Sequence, residues 1–296
     1  MKFDVVCFGS AVIDSFVDTN ISEKNKFVCY PVGSKLLLKN LRFDIGGGGT
    51  NSAVAFSRLG LKTGYLGKIG KDLQGKSILE MLSKEKVSFL GKIDKNHLTG
   101  YSIILDSKEH ERTILTYKGA NDELNLYEIE KINTSWLYYS SLLGKSFYTQ
   151  QKLAERLCRK GTKLAFNPTE YLIKKENIKP LLKITEILVL NREEAILLTK
   201  NKDLLKGLFK LGPKKIVITD KNRIIRAYDG KKKYSLMPHK IKVVERTGAG
   251  DAFASGFTAG QIRGKSIQKS LELGLKESES VIKYFGAKNN LLRMKL

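Results

Sequence analysis

The chain alternates short apolar runs with longer stretches of helical periodicity. Strand-length runs occur at Val5–Phe8, Gly64–Leu66, Trp136–Tyr139, Lys163–Phe166, Ile187–Leu190 and Ile216–Thr219. Between them lie helix-like stretches such as Ser52–Leu59, Leu73–Lys86, Thr149–Lys160 and Arg192–Thr199. Strands covered on both faces read as unbroken apolar runs, and helix-length crossovers join strands in parallel. The pattern predicts an α/β fold with a mostly parallel central sheet flanked by helices on both faces. A chain of 296 residues suffices for one such domain over 1–296 with a small appended element.

Two segments break the rhythm. Val28–Asp44 and Thr99–Tyr117 are β-rich with no intervening helix. In the second, Tyr101–Asp106 and Arg112–Tyr117 flank a polar stretch from Ser107 to Glu111, a hairpin pattern. Antiparallel strands of this kind fit poorly inside a doubly wound sheet. They are expected to form a discontinuous β lid, from about 15–44 and 98–118, beside a ligand crevice. An edge extension of the main sheet is the alternative.

Composition excludes several classes. No apolar run approaches the roughly 20 residues that span a bilayer. Val5–Phe8, close to Asp4 and Asp14, reads as a strand rather than a signal-peptide core. Cys7, Cys29 and Cys158 are odd in number and widely spaced, so neither a disulfide framework nor a metal pattern is expected, and a reducing cytoplasm fits. His97, His110 and His239 sit in polar surroundings and are expected on the surface. Trp136 begins an apolar run and is expected in the core. The net charge of +23 is spread along the chain, with its densest run at Lys231-Lys232-Lys233. No basic stretch interleaves with aromatics, which argues against nucleic acid as the main partner. A positive field also suits an anionic nucleotide.

The sharpest local signal is Glu245-Arg246-Thr247-Gly248-Ala249-Gly250-Asp251-Ala252-Phe253, after a strand-like Ile241–Val244. Two glycines at a helix start let backbone N–H groups face outward, where the helix carries unpaired donors and positive dipole character. Such a terminus can stabilise charge on a phosphoryl group in transfer. Asp251, in the first turn, can accept the proton of an attacking hydroxyl. Taken alone, the same residues also read as a tight turn with a capping aspartate.

The surrounding residues make the reading specific. Thr247–Phe253 resembles the C-terminal signature of the ribokinase-like (PfkB) carbohydrate kinase family. Gly46-Gly47-Gly48-Gly49-Thr50-Asn51, with Arg58-Leu59-Gly60 and Gly67-Lys68-Ile69-Gly70-Lys71-Asp72 behind it, resembles the N-terminal signature. The resemblance covers nearly the whole chain. It implies a ribokinase-like fold, ATP and Mg²⁺, and catalysis by Asp251 with the anion cradle Gly248, Ala249 and Gly250. By the same resemblance, Asp14, Gly46, Gly47 and Asn51 would bind the sugar. Asn191 and Thr219, with Gly248 and Gly250, would contact nucleotide; Lys221, which departs from the family's glycine, is read as meeting a phosphate instead, with a remodelled loop as the alternative. Glu194, in Asn191-Arg192-Glu193-Glu194, would hold Mg²⁺ through water. Read as residues alone, Asn191 and Glu194 equally suit a helix cap, and Asn51 a helix N-cap. A K⁺ site is implied at Glu245, Thr247, Val281, Tyr284, Gly286 and Asn290.

The sequence departs from the family in places. Lys221 and Ile224 stand where the nucleotide loop usually has glycines, and Glu245 where aspartate is usual. Gly48 replaces the lysine of the ribose-specific branch. Lys276-Glu277-Ser278 replaces a small segment that packs by the nucleotide base, with Glu277 expected to face solvent. Three readings stand: an ATP-dependent kinase of a sugar or sugar-like hydroxyl (ribose, fructose, another hexose or a keto-sugar acid), a nucleoside kinase of the same fold, and a non-catalytic ligand-binding or regulatory protein. Unpaired lid-strand edges are expected to support a homodimer.

Overall fold

The six apolar runs form six strands of one sheet in the computed structural model, which describes residues 2–25, 27–108 and 112–294. The first half of the chain supplies β1 (Phe3–Phe8), β2 (Val12–Asp18), β3 (Asn40–Gly46), α1 (Gly48–Arg58), β4 (Thr63–Leu66) and β5 (Lys68–Gly70). There follow α2 (Leu73–Lys84), β6 (Ser88–Phe89), β7 (Lys92–Asp94), β8 (Gly100–Asp106) and β9 (Arg112–Tyr117). The second half supplies β10 (Thr134–Ser140), α3 (Gly144–Cys158), β11 (Lys163–Asn167), α4 (Glu170–Lys175), α5 (Lys179–Ile184), β12 (Ile187–Asn191) and α6 (Arg192–Leu198). It ends with α7 (Leu204–Phe209), β13 (Lys215–Thr219), β14 (Ile225–Tyr228), β15 (Lys233–Leu236), α8 (Ala249–Ile262) and α9 (Ile267–Val281).

The large sheet runs β15-β14-β13-β12-β11-β10-β1-β4-β6. Pairing is parallel from β6 to β13 and antiparallel for the edge hairpin β14–β15. Both faces are buried, and the strand period of two divides the core. Val5, Cys7, Tyr138 and Val189 pack toward Phe56, Ile78 and Phe257 of α1, α2 and α8. Val6, Phe8, Tyr139 and Leu190 pack toward Leu153 of α3, Leu181 of α5 and Leu208 of α7. Trp136 lies in the core as expected, whereas His97 and His239 lie at the surface beside Asp94 and Glu279. His110 falls outside the described residues. Small residues let α8 and α9 approach closely: a Cβ on Gly256 would stand 2.9 Å from the Gly274 Cα.

A second, four-stranded sheet has the order β3-β2-β8-β9. It is the expected lid, with two corrections. Residues Val28 to Lys39 form no strand; only Asn40–Gly46 joins the sheet. The strand it pairs with is Val12–Asp18, which starts before the residues expected of the lid. Ile241–Val244, expected as a strand, is irregular, with the Val244 amide donating to the Ile282 carbonyl at 2.8 Å. Val243 and Val244 are exposed, so their β-branched character serves no sheet.

Candidate active site

The site lies where the sheet changes direction. From β1 the chain leaves for the lid and α1 and returns at β4 on one side, while β10 pairs on the other. Ligand crevices in open α/β sheets form at such points, beyond the strand C-termini. Gly9 follows β1 and Ser140 ends β10 here, and the N-termini of α1 and α8 converge above them.

The glycine run has a packing cause. Gly47 caps α1 with φ of +95°, and a Cβ there would stand 2.4 Å from the Ser10 carbonyl oxygen. A Cβ on Gly49 would stand 2.5 Å from the Gly9 carbonyl carbon, and one on Gly46 would overlap the Asp14 carboxylate. The glycines thus seat α1 on the β1–β2 turn and crowd Asp14 toward the crevice. α1 begins at Gly48, so Asn51 is not an N-cap but sits inside the first turns.

Gly248 has φ of +78° and packs against Ala287; a Cβ there would come within 2.5 Å of the Ala287 Cβ. Gly250 differs: no atom lies within 4 Å of where its Cβ would stand. The first turn of α8 is therefore open at Gly250, where a helix start carries donors without intrahelical partners; the Ala249 amide donates to the Arg246 carbonyl at 3.3 Å. Asp251 sits next to this opening, half-buried, and its Oδ2 accepts from Asn51 Nδ2 at 2.8 Å. Burial raises the Asp251 pKa, and the Asn51 hydrogen bond and the Lys288 charge oppose that rise.

Beneath the lid, a hollow of about 440 Å³ is bounded by Asp14, Gly47, Ser102, Thr116, Lys118 and Arg246, among others. Burial pushes the Asp14 pKa up to about 6, against a hydrogen bond from Ser102 and the charge of Lys288. A larger hollow, about 750 Å³, lies at the far end of β10 and β11 around Trp136 and Lys163, remote from these carboxylates.

The remaining expected site residues fall in two places. Asn191 and Glu194 form a reciprocal cap of α6: Glu194 N donates to Asn191 Oδ1 and Asn191 N to Glu194 Oε2, each at 2.8 Å. Burial pushes Glu194 up to about 7. Thr219 ends β13, and Lys221 adopts φ of +49°, a conformation that glycine usually fills. Its Nζ stands 3.7 Å from Glu193. Glu245 is buried, and its Oε1 accepts from the Arg246 and Thr247 amides and the Thr247 hydroxyl at 2.7–2.9 Å. Val281 is buried and Tyr284 half-exposed, while Gly286 and Asn290 have positive φ. Among the described residues, no cluster of three His, Cys, Asp or Glu is arranged to hold a metal. Glu277 overturns its expectation: it is fully buried between α8 and α9, and Oε2 accepts from Leu292 N at 2.8 Å. α9 turns that face inward because Gly256 and Gly274 bring the two helices together.

Sequence reading missed Lys288, Asp44 and Ser102. Lys288 is buried at the crevice, its Nζ donating to Asn51 Oδ1 and to the Ile45 carbonyl. Ser102 had no motif around it. Asp44 lies two residues before the glycine run, a position whose importance appears only when β3 pairs with β2.

A carboxylate beside the open start of a helix, near a hollow beneath a β lid, suits a phosphotransferase acting on an alcohol. The whole-chain comparisons agree. Residues 2–293 match the pfkB family carbohydrate kinase profile, and the chain belongs to that family. A cytidine kinase of Thermococcus kodakarensis is 28% identical over 96% of this chain and 97% of its own length. A probable fructokinase-5 of Arabidopsis thaliana is 27% identical over 86% of this chain and 81% of its own. The fold is ribokinase-like. An Arabidopsis thaliana ribokinase solved with ribose and ATP superposes with a TM-score of 0.85 at 21% identity, covering 99% and 96% of the two chains. Among the described residues, no helix is long and apolar enough to cross a membrane.

Proposed function

We propose that this kinase transfers the γ-phosphoryl group of ATP to a hydroxyl of a sugar or sugar-like acceptor held under the lid, with Asp251 as base. The observation that carries the reading is the pairing of Asp251 with the open helix start at Gly250. Asp14 and Ser102 offer acceptors and a donor to acceptor hydroxyls. Asp251 takes the proton of the attacking hydroxyl, and the amides of Gly250 and Asp251, joined by that of Ala249 once it leaves the Arg246 carbonyl, donate to the phosphoryl oxygens as charge builds there. Thr219 and Lys221 line the approach of the nucleotide at the end of β13. The lid excludes water, which limits wasteful hydrolysis.

The open face at Gly250 fits a phosphate, since a Cβ there would enter the space the phosphate needs. Mg²⁺, when bound with nucleotide, neutralises phosphate charge, and Glu194 is the residue proposed to hold it through water. Monovalent-cation binding is proposed around Glu245, Thr247, Val281, Tyr284, Gly286 and Asn290. The reading also includes a cytoplasmic location and a homodimer formed through the lid.

A second acceptor class has its own support, since the cytidine kinase relative matches almost end to end. A panel of ribose, fructose, other hexoses, keto-sugar acids and nucleosides, assayed by ADP release with ATP, Mg²⁺ and K⁺, separates the two. Turnover of a sugar alone supports the first reading, and turnover of a nucleoside alone the second. Tight binding of a panel member without turnover sinks both and favours the non-catalytic alternative. The altered nucleotide loop lends that alternative little, because Lys221 keeps the left-handed turn without glycine.

A further inference from the structure

Lys288 is 6% exposed and faces three carboxylates and one cation: Asp14 on β2, Asp44 on β3, Asp251 on α8 and Arg58 on α1. Glu85, after α2, also feels its charge. A buried ammonium is costly unless it is paired and hydrogen-bonded. Several contacts hold this one. Arg58 Nη1 donates to the Lys288 carbonyl at 2.7 Å. Glu85 clamps the same guanidinium at 2.6 and 2.9 Å. Beyond the lysine, Leu292 N is tied to Glu277 and Met294 N to the Arg58 carbonyl. Before it, Ala287 rests against Gly248 at the α8 cap. The C-terminal segment is thus fastened to α1 and α9, and Lys288 Nζ is aimed at Asn51.

Asn51 lies between opposite partners. Its Oδ1 accepts from Lys288 Nζ at 2.5 Å, and its Nδ2 donates to Asp251 Oδ2 at 2.8 Å. An ammonium offers only hydrogens and a carboxylate only lone pairs. One amide orientation satisfies both. In the flipped amide, oxygen would meet the carboxylate and NH₂ would meet the ammonium.

We propose that Lys288 is a positioning residue for Asp251: it locks the Asn51 amide so that its NH₂ faces the base, and its charge favours the ionised carboxylate. The proposal rests on the reading of Asp251 as the base.

Three variants test this. Lys288→Gln keeps a hydrogen-bond donor and removes the charge. Lys288→Met removes both, and Asp251→Asn marks the base. Carboxyl-¹³C NMR of aspartate-labelled protein follows the Asp251 titration, its resonance identified by its loss in Asp251→Asn. The expected result is an upward displacement of that titration by about one pH unit or more in Lys288→Gln, the usual effect of deleting a nearby opposite charge. With the best acceptor of the panel, the acidic limb of kcat should move the same way. In Lys288→Met, kcat should fall at least about tenfold with KM for ATP little changed. If Lys288→Met does not fold, Lys288→Gln decides alone. An Asp251 titration unmoved in Lys288→Gln overturns the proposal. So does a change confined to acceptor KM, which would make Lys288 a substrate ligand. Near-normal turnover of Asp251→Asn overturns the base reading itself, whatever the titrations show.

Discussion

Asn51 Nδ2 meets Asp251 Oδ2 at 2.8 Å, joining the starts of α1 and α8 across 200 positions of sequence. The contact lies beside the open helix start at Gly250 and opposes the rise in the Asp251 pKa that burial causes. Asp251→Asn keeps the shape and removes the proton acceptor. It should lower kcat by at least about 10²-fold with little effect on KM for ATP, the usual scale for losing a positioned base. Steady-state kinetics on the best acceptor check this, and near-normal turnover would remove Asp251 from the mechanism.

Two glycines within three positions of Asp251 should respond oppositely to the same methyl group. Gly248→Ala forces a Cβ into Ala287 at positive φ and should cost about 1–3 kcal/mol of stability. Gly250→Ala meets no atom and replaces glycine in the first turn of α8, so stability should hold or rise by up to about 1 kcal/mol. Its methyl would stand where phosphoryl oxygens are proposed to bind, and kcat/KM for ATP should fall. Thermal melts beside kinetics separate the two. A fully active Gly250→Ala would place the phosphates elsewhere.

The six parallel strands were legible because burial on both faces leaves each an unbroken apolar run. The lid was only partly so. Val12–Asp18 carries Asp14 in a stretch without clean alternation, so its strand character shows only in its pairing with β3 and β8. The motif residues Asp14, Asn51 and Asp251 do come together, but the link that completes them does not show in sequence. Lys288 is one basic residue in a chain with 53 of them, and only the fold sets it apart. Glu277 failed for the converse reason: acids in polar helices usually face water, and the close approach of α8 and α9 reversed that side.

The lid has two unlike faces. Asp14, Ser102 and Thr116 point to the crevice, while the alternate residues Phe43, Ile103 and Leu115 share one register on the outside and are exposed at 62%, 38% and 53%. An apolar outer face of this kind favours a second copy, by its surface as well as by the strand edges. Sedimentation should show a dimer that Phe43→Asp dissociates. A monomer at working concentration would remove the homodimer from the proposal.

Glu277 sets a pH dependence of stability. Burial pushes its pKa up to about 7, against the amide of Leu292 and the charge of Arg58, while a glutamate in the unfolded chain titrates near 4.5. Between these values the folded chain binds more protons than the unfolded one, so stability falls as pH rises through this window. The stabilisation is full below the unfolded value and is lost once the folded group ionises, a loss of up to about 3 kcal/mol. Glu277→Gln keeps the oxygen that accepts from Leu292 and cannot ionise. Denaturant titrations from acidic to mildly alkaline pH should therefore show a flatter profile for the variant, with its largest advantage above pH 7. Parallel profiles for the two proteins would mean that Glu277 does not carry the linkage.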